Sequence, residues 1–132
     1  MKTYDVQSVT LICGFEKAFG FIVDPKNLPQ WTNAFEKADD NSAVMATPGG
    51  KITVKLRVES DRKIGNIDWY MTFPDGTVGK AYSRLVSLGA KETVYSFVLL
   101  APPLPLEQLE GALSEQIKIL SKELLHLQEL LK

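Results

Sequence analysis

The chain has one cysteine, one histidine and almost no net charge, and each scarcity closes off a class of function. With Cys13 alone there is no intramolecular disulfide framework, which points to a reducing compartment. Nucleophilic catalysis by serine or cysteine needs a neighbouring base, ordinarily histidine, and His126 is the only one. At about 100° per residue, His126 falls away from the apolar stripe of its segment, beside Lys122 and Glu129, as a solvated surface residue. The same shortage argues against zinc or iron, whose sites draw on several Cys and His ligands, so no metal and no cofactor are expected. Fifteen Lys and Arg against sixteen Asp and Glu leave a net charge of −1. That gives no electrostatic reason to seek a phosphate backbone, and nucleic acid is not an expected partner.

Long apolar runs are also missing. None approaches the roughly 18 residues that a membrane span requires. Polar Asp5, Gln7 and Ser8 stand where a secretory signal needs a continuous apolar stretch. The expectation is a cytoplasmic protein without integral membrane association. Pro48-Gly49-Gly50-Lys51 resembles a phosphate loop only superficially, since Met45 stands where the first glycine is needed and Ile52 where Ser or Thr is.

What is present is 132 residues, room for one domain spanning 1–132. A chain of this length buries roughly two thirds of its unfolded surface, enough for a core without disulfides or structural metals. Residues 4–12 are rich in β-branched and apolar types and read as a strand, broken by Cys13-Gly14. Cys13 itself reads as a buried structural thiol, with no neighbouring cation evident in the sequence. Phe15, Ala18, Phe19 and Ile22 recur at helical spacing within 15–23. Asp24-Pro25 ends that helix, and Leu28-Pro29 introduces a second short turn carrying Gln30, Trp31 and Thr32.

From residue 43 the apolar period becomes two, and five segments bounded by turn residues predict an antiparallel meander, the stretch 43–47 being the weakest. Ile52, Val54, Leu56 and Val58 alternate with polar residues, as do Ile67, Trp69, Met71 and Phe73. Lys55, Arg57, Glu59, Asp68, Lys80 and Arg84 then share a solvated face of mixed sign. Pro74-Asp75-Gly76 suits a three-residue hairpin loop with Gly76 left-handed, which sets Phe73 opposite Thr77. The pairing propagates to Met71 with Gly79, Trp69 with Ala81 and Ile67 with Ser83. Large residues thus face small ones, which leaves room for a ligand or for a side chain of the last helix. The stretch 93–100 is apolar on both faces and reads as a central, covered strand.

Leu106, Leu109, Leu113, Ile117, Leu120, Leu124, Leu127 and Leu131 step by three and four, the pattern of one apolar helical stripe. A helix from 106 to 131 would reach about 39 Å, long enough to cross the whole domain, so it is expected to lie across the sheet. Gln116 and Glu123 flank the stripe. Ile119, Leu125 and Leu130 fall outside it, compatible with either a monomer or a homodimer. Gly111 points away from it.

The order of elements now meets a specific run, Glu16-Lys17-Ala18-Phe19-Gly20-Phe21-Ile22-Val23-Asp24-Pro25-Lys26-Asn27-Leu28-Pro29-Gln30-Trp31. It resembles the opening of the START-like helix-grip superfamily (SRPBCC; polyketide cyclase/dehydratase and lipid-transport-like proteins), with the pattern E-x-V-F-x-F-I-x-D-P-x-N-L-P-x-W. Leu88-Gly89-Ala90-Lys91-Glu92-Thr93-Val94 resembles that family's G-x-G-T-x-V turn but lacks its second glycine. The resemblance implies an α+β helix-grip fold: a curved antiparallel sheet, two short helices after the first strand, and a long C-terminal helix packed across it. It also implies a cavity that in relatives holds lipids, sterols or polyketides. Mapped here, the walls would be Leu56, Val58, Trp69, Met71, Phe73 and Phe97 opposite Leu109, Leu113, Ile117 and Leu120, with Gly79, Ala81 and Ser83 providing room. Trp31, Ser83, Tyr95 or Gln116 would orient the ligand. The leading expectation is non-catalytic binding of a small apolar or amphipathic molecule. The alternatives are a cyclase or dehydratase-type enzyme, which needs a buried acid/base such as Glu59 or Asp68 turned inward, or a partner-binding or dimerisation domain.

Overall fold

The computed structural model describes residues 3–47, 50–101 and 106–132, with only the backbone described at Thr47 and at 106–112. The elements in chain order are β1 (Tyr4–Leu11), α1 (Phe15–Ile22), a 3-10 turn (Pro25–Asn27), α2 (Leu28–Trp31), β2 (Phe35–Ala38) and β3 (Ser42–Thr47). They continue with β4 (Gly50–Asp61), β5 (Asn66–Thr72), β6 (Val78–Gly89), β7 (Glu92–Leu100) and α3 (Leu106–Leu130). The strands form one curled antiparallel sheet in the order β1-β7-β6-β5-β4-β3-β2. The first strand closes against the last, which places β7 between β1 and β6, as its two apolar faces require.

The hairpin register follows the turn chemistry. Gly76 has φ +90°, and the Phe73 N–H donates to the Thr77 carbonyl at 2.9 Å. The Asp75 carboxylate accepts from the Thr77 N–H and hydroxyl, which holds its carboxyl below the usual range. Trp69 then pairs with Ala81, Met71 with Gly79 and Ile67 with Ser83.

The sequence pattern missed β2. Its inward residues, Phe35 and Ala38, are three apart because a bulge lies between Phe35 and Lys37, so the period of two is broken. The meander therefore has six strands, not five. The turn after it is held by Asp39, whose carboxylate accepts from the backbone N–H groups of Asn41 and Ser42 at 2.8 Å each.

Two devices shape the helical segment. Asp24 accepts from the Lys26 N–H at 3.0 Å with Pro25 opening the 3-10 turn, and the Asn27 amide donates to the Phe21 carbonyl at the end of α1. The chain then folds back with Leu28 and Trp31 buried. Cys13 is also buried, which pushes its thiol up despite Lys17 nearby.

Helix α3 packs against β1 and α2. Leu113, Leu120, Leu124, Leu127 and Leu131 are buried, whereas Leu125 and Leu130 are exposed. Burying each leucine stabilises the fold by about 2 kcal/mol. Hydrogen bonds set the helix's position along the sheet: Gln7 donates to the Ile117 carbonyl at 3.0 Å, and Gln128 to the Thr10 carbonyl at 2.7 Å. The Leu106 and Leu109 side chains, Gly111 and the prolines at 102–105 lie outside the described residues. Among the described residues, no helix is long and apolar enough to cross a membrane.

Two glycines give opposite predictions. Gly65 has φ +78°, and a Cβ there would overlap the Leu85 carbonyl oxygen, while its own carbonyl accepts from the Leu85 N–H. Gly65→Ala is expected to cost about 3 kcal/mol or more in urea unfolding. Gly20 is exposed in α1 with open space around its Cα, so Gly20→Ala should stabilise by about 0.5–1 kcal/mol in the same assay.

Candidate functional site

Alternation along each strand decides what faces α3. The concave side receives Leu56 and Val58 from β4, Trp69 and Met71 from β5, Gly79, Ala81 and Ser83 from β6, and Tyr95 and Phe97 from β7. Phe73 follows β5, and Trp31 is brought in by α2. Trp31, Leu56, Trp69, Ala81, Ser83, Tyr95, Phe97, Leu113 and Leu120 are buried. Val58, Met71, Phe73, Gly79, Gln116 and Ile117 are half-buried. The Leu109 side chain is outside the described residues.

The aromatic groups of this set touch. The Tyr95 ring meets Trp31 edge-on at 6.4 Å between centroids and Phe97 at 6.2 Å. At Gly79, the position a Cβ would take lies 3.3 Å from the Phe73 ring and 3.5 Å from the Met71 terminal methyl. The missing side chain there makes room for Phe73, so of the three small residues Gly79 serves packing within the sheet. Ser83 donates to the Ile67 carbonyl at 2.5 Å.

Polar atoms are stranded within this apolar wall. The indole N–H groups of Trp31 and Trp69 and the hydroxyl of Tyr95 are buried and make no hydrogen bond among the described residues. Ser83 and Trp69 lie close enough to temper the rise that burial imposes on the Tyr95 phenol, yet neither makes a well-formed bond to it. Its ionisation is pushed far above the physiological range. A buried donor without an acceptor costs about 1–3 kcal/mol, and three in one region is the most unusual feature of the interior. The Asn66 side-chain oxygen, also unpartnered, belongs to the opposite face.

Glu123 is the ionisable residue that sequence reasoning left at the edge of the stripe. On α3 it is half-buried, and its carboxylate accepts from the Asn33 N–H at 2.6 Å, tying the loop after α2 to the helix. Burial raises its carboxyl above the ordinary value, with the Asn33 bond opposing. Its sequence signal was its place between Leu120 and Leu124, three residues past one and one before the other. Glu59 and Asp68 stay on the convex face: Glu59 pairs with Arg57, whose guanidinium stacks 4.2 Å from the Tyr70 ring centre, and Asp68 accepts from Asn66. His126 is exposed. Among the described residues no group of His, Cys, Asp and Glu is arranged to hold a metal.

Two open grooves lie on the outside. One, of about 520 Å³, runs along β2 and β3 between Lys26, Glu36 and Asp39, and the other, of about 460 Å³, lies among Phe15, Arg62, Ile64 and Arg84. Neither reaches Trp31, Trp69 or Tyr95.

No family model and no curated protein matches the chain. Solved structures do. A START superfamily protein from Mycobacterium smegmatis superposes with a TM-score of 0.71 at 14% identity, covering 98% of this chain and 97% of that one. Zhui aromatase/cyclase from Streptomyces sp. R1128 gives 0.65 at 13%, covering 96% and 91%. The di-domain ARO/CYC BexL of the BE-7585A biosynthetic pathway gives 0.70 at 11%, covering 98% of this chain and 46% of BexL. The chain therefore has the START-like (SRPBCC) helix-grip fold.

Tyr95 and Glu123 each carry a test. Tyr95→Phe removes an unpartnered buried hydroxyl, so the free protein should be as stable as the parent or more so by up to about 1 kcal/mol in thermal unfolding. For Glu123 the folded state holds its proton more tightly than the unfolded state does. Its contribution is therefore destabilising at neutral pH and is relieved as pH falls toward its ordinary value of 4.5. The Tm difference between Glu123→Gln and the parent should accordingly grow in favour of the variant as pH rises from 4.5.

Proposed function

We propose that this chain is a single START-like domain over residues 1–132 that binds a small hydrophobic or amphipathic molecule, without catalysis, in a cavity between the concave sheet and α3. The observation that carries this reading is the set of unpartnered polar atoms on Trp31, Trp69 and Tyr95 within an apolar wall. Ligand sites are built in this way, from apolar walls with a few convergent polar groups. The fold shared with a START superfamily protein and with an aromatase/cyclase supports it. Absence of catalysis fits a Tyr95 phenol too weakly acidic for proton transfer near neutrality and a sheet whose carboxylates, Glu59 and Asp68, face outward. A single free thiol suits the cytoplasm, and the protein would act there as a monomer or homodimer.

One observation favours the enzyme reading. Glu123 is a half-buried carboxyl whose pKa desolvation raises, the property of a general acid, and it acts electrostatically on Tyr95. Turnover of a polyketide-like substrate that is lost in Glu123→Gln would establish that reading over simple binding.

Native mass spectrometry of freshly purified protein tests the proposal: a non-covalent adduct, released on denaturation, is expected. Ala81→Leu supplies the companion result. With space beside Trp69 the added methylenes should cost less than about 1 kcal/mol and abolish the adduct, whereas a filled interior would show an overpacking cost of about 1–3 kcal/mol. No adduct together with that cost would overturn the reading.

A further inference from the structure

The three stranded groups restrict what they can hold. An indole N–H donates and cannot accept, so Trp31 calls for an acceptor atom, while the Trp69 N–H lies beside the Tyr95 oxygen without a well-formed bond to it and the Tyr95 hydroxyl can supply a further donor. Every described Lys, Arg and His side chain is exposed, so no cation is buried nearby to neutralise an anion. The two charges that act on the Tyr95 hydroxyl, Glu123 and Asp68, are both negative. An anionic ligand would therefore sit desolvated, unpaired and repelled. A cationic one could approach Glu123 but would meet indole N–H groups that turn their positive ends toward it.

Resting on the binding reading above, we infer that the ligand is electrically neutral and presents a carbonyl-type oxygen, as in a ketone, lactone or quinone, to Trp31, Trp69 and Tyr95. A fatty-acid carboxylate does not meet these conditions. The edge-on rings of Trp31 and Tyr95 offer a ring-bearing molecule aromatic walls beside those donors.

The test uses three probes on one ring frame: α-tetralone, tetralin, and tetralin-1-carboxylate. The chain has two tryptophans, both in this set, so each indole N–H resonance in a ¹⁵N-correlated NMR spectrum reports one donor. α-Tetralone is expected to move both indole N–H resonances downfield and to bind roughly tenfold more tightly than tetralin, the gain of hydrogen-bonding buried donors. The carboxylate should bind more weakly than the ketone at pH 7.5. Trp69→Phe should bring the ketone-to-tetralin affinity ratio close to one, whatever the lost indole contact does to tetralin binding itself, and Tyr95→Phe, which removes no packing, repeats the comparison should the tryptophan variant fold poorly. Equal binding of ketone and tetralin, with no downfield shift, would overturn the inference and leave the binding reading standing. Tightest binding by the carboxylate would overturn neutrality. Failure of all three probes, with no adduct in native mass spectrometry, would overturn both.

Discussion

The structure depends on one burial: the leucine stripe of α3 against the concave side of the sheet. Leu113, Leu120, Leu124, Leu127 and Leu131 are buried on a helix whose opposite face carries exposed Leu125, His126 and Lys122. A curled sheet with an apolar inner face has no other described helix long enough to cover it. Because apolar contact is not directional, it does not by itself choose the position of the helix. Polar ties do so: Gln7 and Gln128 hold it to β1, and Glu123 holds it to the loop after α2.

That arrangement makes the interior chemically uneven. β1 meets the helix through ordinary apolar packing, with Leu11 and Leu127 in one buried cluster, and with hydrogen bonds at the rim. Deeper in, Trp31, Trp69 and Tyr95 place polar atoms where nothing described accepts them. A fold selected only for stability has no use for such groups, since phenylalanine at each position would remove the desolvation cost. Their presence beside a carboxyl raised by burial separates this region from the well-satisfied turns, where Asp24, Asp39 and Asp75 each cap their own loops. Local chemistry fixes shape in the turns and leaves donors without acceptors in the interior.

Identities of 11–14% to structures of the same fold are consistent with this division. What such chains must share is a pattern of periods and breakers that curls a sheet around one helix. The identities of inward side chains are free to differ, because fold and site are separable properties.

Much of the fold was legible because it is written in local chemistry. Pro74-Asp75-Gly76 set the register of β5 on β6, since a left-handed glycine admits one pairing there, and the three-four spacing of leucines specified α3 and its buried face. β2 escaped because its bulge moves Phe35 and Ala38 out of alternation, a displacement visible only once β3 is alongside. At the site, which residues face inward was legible from strand alternation, a one-dimensional property. Packing between distant segments is what sets Phe73 into the space at Gly79, ties the Glu123 carboxylate to the Asn33 N–H, and leaves two indoles and a phenol without partners. Hydrogen bonding and desolvation depend on distances between segments far apart in the chain, and no local pattern carries them.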